Sequence, residues 1–188
     1  MMRLPLYVPP NELVNLKTKQ MILDEYGQET NFLIERHYLT VNLPVNEGPF
    51  KIGDIVWSKL PNFPYWPAIV MVEPEQGQYC YIPSGCHYTE YENFQYYLNY
   101  FGRSVFIGWN YCSKLLPFKG YKALINNIQL KLQRMSYRKA STKCEKYLSN
   151  FHVSDDMKDD WNYSVCEAEL AMKLDLTTRL SLLAYEYR

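Results

Sequence analysis

Phe63, Tyr65 and Trp66 lie side by side in the stretch Pro61-Asn62-Phe63-Pro64-Tyr65-Trp66-Pro67. Rings of this kind can do one of two things. They build a recognition surface, or they roof a core. The three prolines fix the chain direction and remove three backbone donors, so the rings stand on a stiff arch. A second chemistry is cationic. Lys131, Arg134 and Arg138 recur at helical spacing, with Lys119, Lys122 and Lys139 near them. That row suits a phosphate backbone, or else is an ordinary solvated face, and Lys51 and Lys59 beside the arch would extend it. Cys80, Cys86 and His87, with Cys112, are weak metal candidates: five residues separate the first two cysteines and no second compact pair follows. Asp155, Asp156, Asp159 and Asp160 cluster without a Gly-rich phosphate loop or a nucleophile motif. No catalytic residue, metal or cofactor is therefore expected.

The elements that must position these groups are short strands followed by helices. Ile55-Val56-Trp57 and Ala68-Ile69-Val70-Met71-Val72 favour a half-buried pleated surface on either side of the arch. Residues 73–95 carry Gly77, Pro83, Gly85 and many tyrosines and read as an inserted loop. Strands are predicted over Gln95–Phe101, closed by Gly102, and over Val105–Trp109. From Tyr121 the period becomes helical, with Leu124, Ile125, Ile128, Leu132 and Met135 on one stripe. Residues 141–159 read as a polar loop anchored by Tyr147, Leu148 and Phe151. A helix follows, from near Trp161 or from Ser164, whose spacing to Glu167 is that of a capping box. A last run after Asp175 places Leu176, Leu180, Leu183 and Tyr187 on one side. Ahead of all this, Asn11 can cap a helix that runs to about Glu25, and Phe32-Leu33-Ile34 and Tyr38–Val41 look extended. The order is α+β: a small five-stranded β-barrel with C-terminal helices and an N-terminal extension. The expected division is residues 1–49 as the extension, 50–140 as barrel plus basic helix, and 141–188 as loop and acidic helices packed against it.

Composition agrees with a packed core. The chain has 188 residues, 47% apolar and 21% charged, and its 18 tyrosines contribute to a high aromatic content of 16%. Such an excess of tyrosine suits either recognition surfaces or a tyrosine-rich core. The net charge of zero conceals an asymmetry. Residues 114–146 hold nine basic side chains against the single acid Glu145, and residues 150–188 hold eight acids against four bases. Five cysteines leave one unpaired in any disulfide scheme, and neither a leader pattern nor a membrane-spanning run is evident. A reducing compartment and no membrane partner are expected.

Gly53-Asp54-Ile55-Val56-Trp57-Ser58-Lys59 followed by Phe63-Pro64-Tyr65-Trp66-Pro67-Ala68 closely resembles the signature of the PWWP domain, a member of the Royal superfamily of small barrels. The eponymous tetrad is Pro64-Tyr65-Trp66-Pro67, with Tyr at a position that varies in the family. Asn99-Tyr100-Phe101-Gly102, Trp109 and the helix from Tyr121 fit later family elements, so the likeness covers residues 50–140. A fainter likeness, from Glu167-Ala168-Glu169 to Arg179, is to the tail of PWWP domains in nuclear-receptor-binding SET-type histone methyltransferases. The resemblance implies a nuclear, non-catalytic reader of a methylated histone H3 tail, typically at lysine-36, that also binds nucleosomal DNA and works among other chromatin proteins. It places the methyl-lysine cage on Phe63, Trp66 and Tyr100, with Leu60 at a further pocket position. Arg103 stands where the family often has an acidic or polar residue. Two alternatives follow: a protein–protein interaction module with a blocked cage, and DNA binding alone.

Overall fold

The computed structural model describes residues 48–83, 91–104, 106–136 and 141–184. The expected N-terminal helix and extended segments, Cys86, His87, Val105, Arg138, Lys139 and Tyr187 lie outside the described residues.

Strands β1 (Ile55–Lys59) and β2 (Tyr65–Val70) pair antiparallel, Ile55 opposite Ile69 and Lys59 opposite Tyr65, so the proline arch closes a hairpin. Leu60 to Phe63 forms a turn in which Phe63 N–H donates to the Leu60 carbonyl at 3.3 Å. Pro61 and Asn62 occupy its centre, and Asn62 has φ of 64°. Proline pre-sets the first central residue, and asparagine is among the few residues that tolerate a positive φ at the second.

Four further strands are present among the described residues: β3 (Cys80–Tyr81), β4 (Gln95–Tyr100), β5 (Phe106–Tyr111) and β6 (Leu115–Pro117). Across the sheet the order is β5-β4-β2-β1-β6, and the short β3 shares with β2 one edge of β4. The outermost strands β5 and β6 are consecutive in the chain, joined by the 3-10 turn Cys112–Lys114. So short a connection draws the two edges together and curls the sheet into a half-barrel. Asn110 of β5 completes the curl by donating to Ser58 Oγ at 2.8 Å and to the Lys59 carbonyl at 3.2 Å.

Side chains alternate between two cores, as the pleat requires. Val56, Ala68, Val70, Tyr96, Leu98 and Tyr100 fill the barrel with Phe50, Tyr79, Phe94 and Leu115. Ile55, Trp57, Ile69, Met71, Tyr97 and Phe101 face the helices. These are α1 (Tyr121–Ser136), α2 (Ser141–Ser149), α3 (Lys158–Ala171) and α4 (Leu176–Ala184). Leu124 and Ile128 carry the α1 stripe into this second core, beside Phe118, Phe151, Trp161, Val165 and Leu180.

Polar ties dock the helices. Glu169 on α3 accepts the Tyr121 N–H at 2.9 Å, putting a carboxylate at the positive end of α1. Buried Trp161 stacks on Trp57 and donates its Nε1–H to the Tyr65 carbonyl at 2.9 Å. Arg179 caps α3 by donating to the Ala171 and Leu174 carbonyls, and it reaches the Gly53 carbonyl at 2.8 Å.

Several expectations change. Residues 141–149 are helical rather than a loop, because Cys144, Tyr147, Leu148 and Phe151 fall at helical spacing; Tyr147 and Leu148 pack on the second core, where Phe151 stacks on Tyr65 and meets Tyr147 edge-on. Ser164 does not start a helix; it lies within α3 and donates to the Asp160 carbonyl one turn earlier at 2.7 Å. The 73–95 stretch is not one inserted loop: Tyr79 and Cys80 are buried barrel residues, and β3 pairs with β4. Among the described residues, no helix is long and apolar enough to cross a membrane.

Candidate aromatic pocket and basic face

Leu60, Phe63, Trp66 and Tyr100 line one cavity of about 260 Å³, together with Phe106, Arg103, Asp160 and Ser164. The arch carries the first two and β2 carries Trp66, whose Nε1–H donates to the Phe101 carbonyl at 2.8 Å. That bond fixes the indole beside the cavity it lines. Phe63 meets Trp66 edge-on, with centroids 6.2 Å apart and planes at 86°. Tyr100 forms the floor: its residue is 5% exposed, and its hydroxyl shares a 2.9 Å hydrogen bond with Ser58. Burial pushes the Tyr100 phenol above its ordinary pKa, so it is neutral and polar-tipped at physiological pH.

Phe106 is a fourth ring that the motif does not mark. It opens β5 directly opposite Tyr100, with centroids 5.2 Å apart, and at 53% exposed it stands with Phe63, 45% exposed, at the mouth. The signal for it lay in the hairpin: once Gly102 ends β4, the returning strand places its first ring over the last ring of β4.

Gly102 also admits the opposite wall. Its φ is +144°, a conformation that side chains rarely adopt, and a Cβ there would meet Ser164 Oγ at 2.9 Å. Its N–H donates to Glu167 Oε2 at 2.9 Å. The close approach brings α3, and with it Asp160, to the pocket. Gly102→Ala is expected to cost about 1–3 kcal/mol, read as a lower urea midpoint, because both the backbone and the helix must yield. An unchanged midpoint would remove this account of the close approach.

Arg103 is directed to α3. Its Nη1 lies 3.1 Å from Asp160 Oδ1, and its guanidinium lies over the Tyr163 ring, 5.0 Å from the centroid.

The basic residues fall in different settings. Lys51, Lys119, Lys122, Lys131 and Arg134 are exposed, the last three along α1. Lys131 lies over the Tyr147 ring, 4.6 Å from its centroid, and shares with Lys119 a second cavity of about 230 Å³ floored by Trp57, Tyr65 and Phe151. Lys59 points to the arch, where its ammonium donates to the Leu60 and Phe63 carbonyls. Desolvation, then the nearby Lys114 charge, lower its pKa. It staples the turn that carries Phe63. Within the metal constellation, Cys80 is buried, Cys112 is half-buried with its thiol pushed up by burial, and Cys86 and His87 lie outside the described residues.

Comparison with known proteins agrees with this architecture. The chain is 22% identical over 139 residues to histone-lysine N-methyltransferase NSD3 of Mus musculus. The match covers 73% of this chain but only 9% of that protein, and the activity in its name stays with the relative. The family model described as "PWWP domain" matches residues 53–172, which takes in the arch, the curled sheet, α1, α2 and all of α3. The chain belongs to the PWWP domain family, in general a family of chromatin readers rather than catalysts.

Proposed function

We propose that this chain is a nuclear, non-catalytic chromatin reader. It takes a methylated lysine of the histone H3 tail, with lysine-36 as the mark, between Phe63, Trp66, Tyr100 and Phe106, and lays nucleosomal DNA along α1. The convergence of four rings on one open cavity is the observation that carries the reading. Ring faces attract an alkylated ammonium through their quadrupoles, and their apolar surface accepts the methyl groups. Leu60 completes the apolar wall. A few such contacts make a weak site, and DNA contact converts it into useful affinity by holding the tail nearby. Lys119, Lys122, Lys131 and Arg134, with Lys51, are the phosphate-facing set. Arg138 and Lys139 extend the same basic run in sequence. Lys59 serves the cage rather than the phosphates, by holding the arch.

Two measurements test the two halves. Nucleosomes carrying trimethylated lysine-36 are expected to bind more tightly than unmodified ones, and equal affinity would sink the cage. For unmodified nucleosomes, the joint variant Lys131→Glu and Arg134→Glu is expected to lower the slope of log affinity against log salt by about 2, since each phosphate contact contributes roughly 0.9. A slope unchanged from wild type would remove α1 from the DNA face.

A further inference from the structure

We propose that Arg103 and Asp160 form a charge clasp that sets the methylation-state preference of the aromatic pocket. This rests on the methyl-lysine reading above and deepens it. Both side chains line the cavity, and they come from separate elements: Arg103 from the β4–β5 turn, Asp160 from the first turn of α3. Asp160 is the one carboxylate among the described lining residues.

The ligands differ in what they ask of that carboxylate. A trimethylammonium has no N–H and is recognised by ring faces alone. Mono- and dimethylammonium groups keep N–H donors, are more strongly hydrated, and lose those water bonds on entry unless an acceptor replaces them. Asp160 is the acceptor of the right charge, but Arg103 holds it at 3.1 Å while resting on Tyr163 of the same helix. With the clasp closed, the Arg103 charge offsets that of Asp160, so lower methylation states gain less from the carboxylate and the trimethylated side chain is favoured. The two clasp side chains are 52% and 57% exposed. A pair so placed is screened and weak, so it can be opened by substitution without disturbing the core.

The test is titration calorimetry of the chain with histone-tail peptides carrying unmodified, mono-, di- and trimethyl-lysine. Wild type is expected to favour the trimethyl peptide. In Arg103→Gln the mono- and dimethyl peptides are expected to gain about 3- to 10-fold relative to trimethyl, the effect of one exposed charge-assisted hydrogen bond. Asp160→Asn leaves the Arg103 charge unpaired at the wall and is expected to weaken every methylated peptide. The double variant is expected to restore the wild-type ratio between states. A shifted ratio between methylation states in Arg103→Gln, returned by the double variant, is not produced by a general loss of folding. Binding with the same trimethyl-to-dimethyl ratio in wild type and Arg103→Gln would overturn the clasp and leave the reading intact. No preference for any methylated peptide over the unmodified one, in wild type and variants alike, would overturn both.

Discussion

Trp66→Ala is expected to erase most of the preference for a trimethylated over an unmodified lysine peptide, a loss of roughly 30-fold in affinity for the former. One desolvated indole face over an ammonium contributes about 2 kcal/mol, which is that factor at room temperature. Trp66 also orders its neighbours: Phe63 meets it edge-on, and its Nε1–H holds the Phe101 carbonyl at the end of β4. Removing it therefore loosens two walls besides its own. Trp66→Phe keeps a ring but forfeits the Phe101 hydrogen bond, and an intermediate loss is expected. Calorimetry with the two peptides, beside a thermal melt to confirm folding, gives the answer. A folded Trp66→Ala that still distinguishes the peptides as wild type does would mean that the cavity is not the recognition site.

The largest effect on stability is expected at Trp161, far from the arch in sequence. Trp161→Ala should cost about 3–5 kcal/mol in urea denaturation, the usual range for removing a buried tryptophan. The side chain is 2% exposed, stacks on Trp57 and meets Tyr121 edge-on. Its loss also leaves the Tyr65 carbonyl without the indole donor. Domains of this size commonly have 5–15 kcal/mol in all, so the variant would be marginal. Peptide affinity should fall with it, because Asp160 precedes Trp161 and forms part of the pocket wall. Trp161→Phe should retain most of the packing and lose about 1 kcal/mol with the hydrogen bond. A urea midpoint for Trp161→Ala close to that of wild type would show that α3 docks without this residue.

These results bear on what the C-terminal region does. Glu169 meets the start of α1, Glu167 holds Gly102, and Arg179 reaches the Gly53 carbonyl where the barrel begins. The short segment that faintly resembled a methyltransferase-associated tail is thus the set of side chains that ties α3 and α4 to the barrel. Of the helices that stand as an acidic appendage in composition, α3 supplies Asp160 and Ser164 to the pocket wall.

Much of the pocket follows from local rules. Proline and asparagine at the centre of a turn dictate the arch, whatever packs on it. Two-residue alternation in β1, β2 and β4 separates barrel-facing from helix-facing side chains, which puts Tyr100 inside. A stripe of 3.6 periodicity makes α1 and leaves its lysines outward. Other readings failed where the local signal was short or had two solutions. The α2 stripe spans barely two turns and sits among lysines, so polarity masked it. Ser164 and Glu167 have capping-box spacing, yet the first turn of the helix had already formed at Lys158.

By itself, then, the sequence determined the hairpin, its stiff aromatic arch, the inward Tyr100 and the basic stripe, because each depends on residues a few positions apart. Only the tertiary structure decided that Phe106 joins the rings, that Lys59 turns to the arch carbonyls, and that Asp160 lines the same cavity with Arg103 bound to it. Those outcomes depend on the closure of the β4–β5 hairpin and on helices docked through contacts 57 to 126 residues apart in the chain. No periodicity or spacing encodes such distances. They are set by which buried faces fit together, and here Trp161 on Trp57 and α3 against Gly102 bring a carboxylate to a pocket that the motif alone leaves apolar.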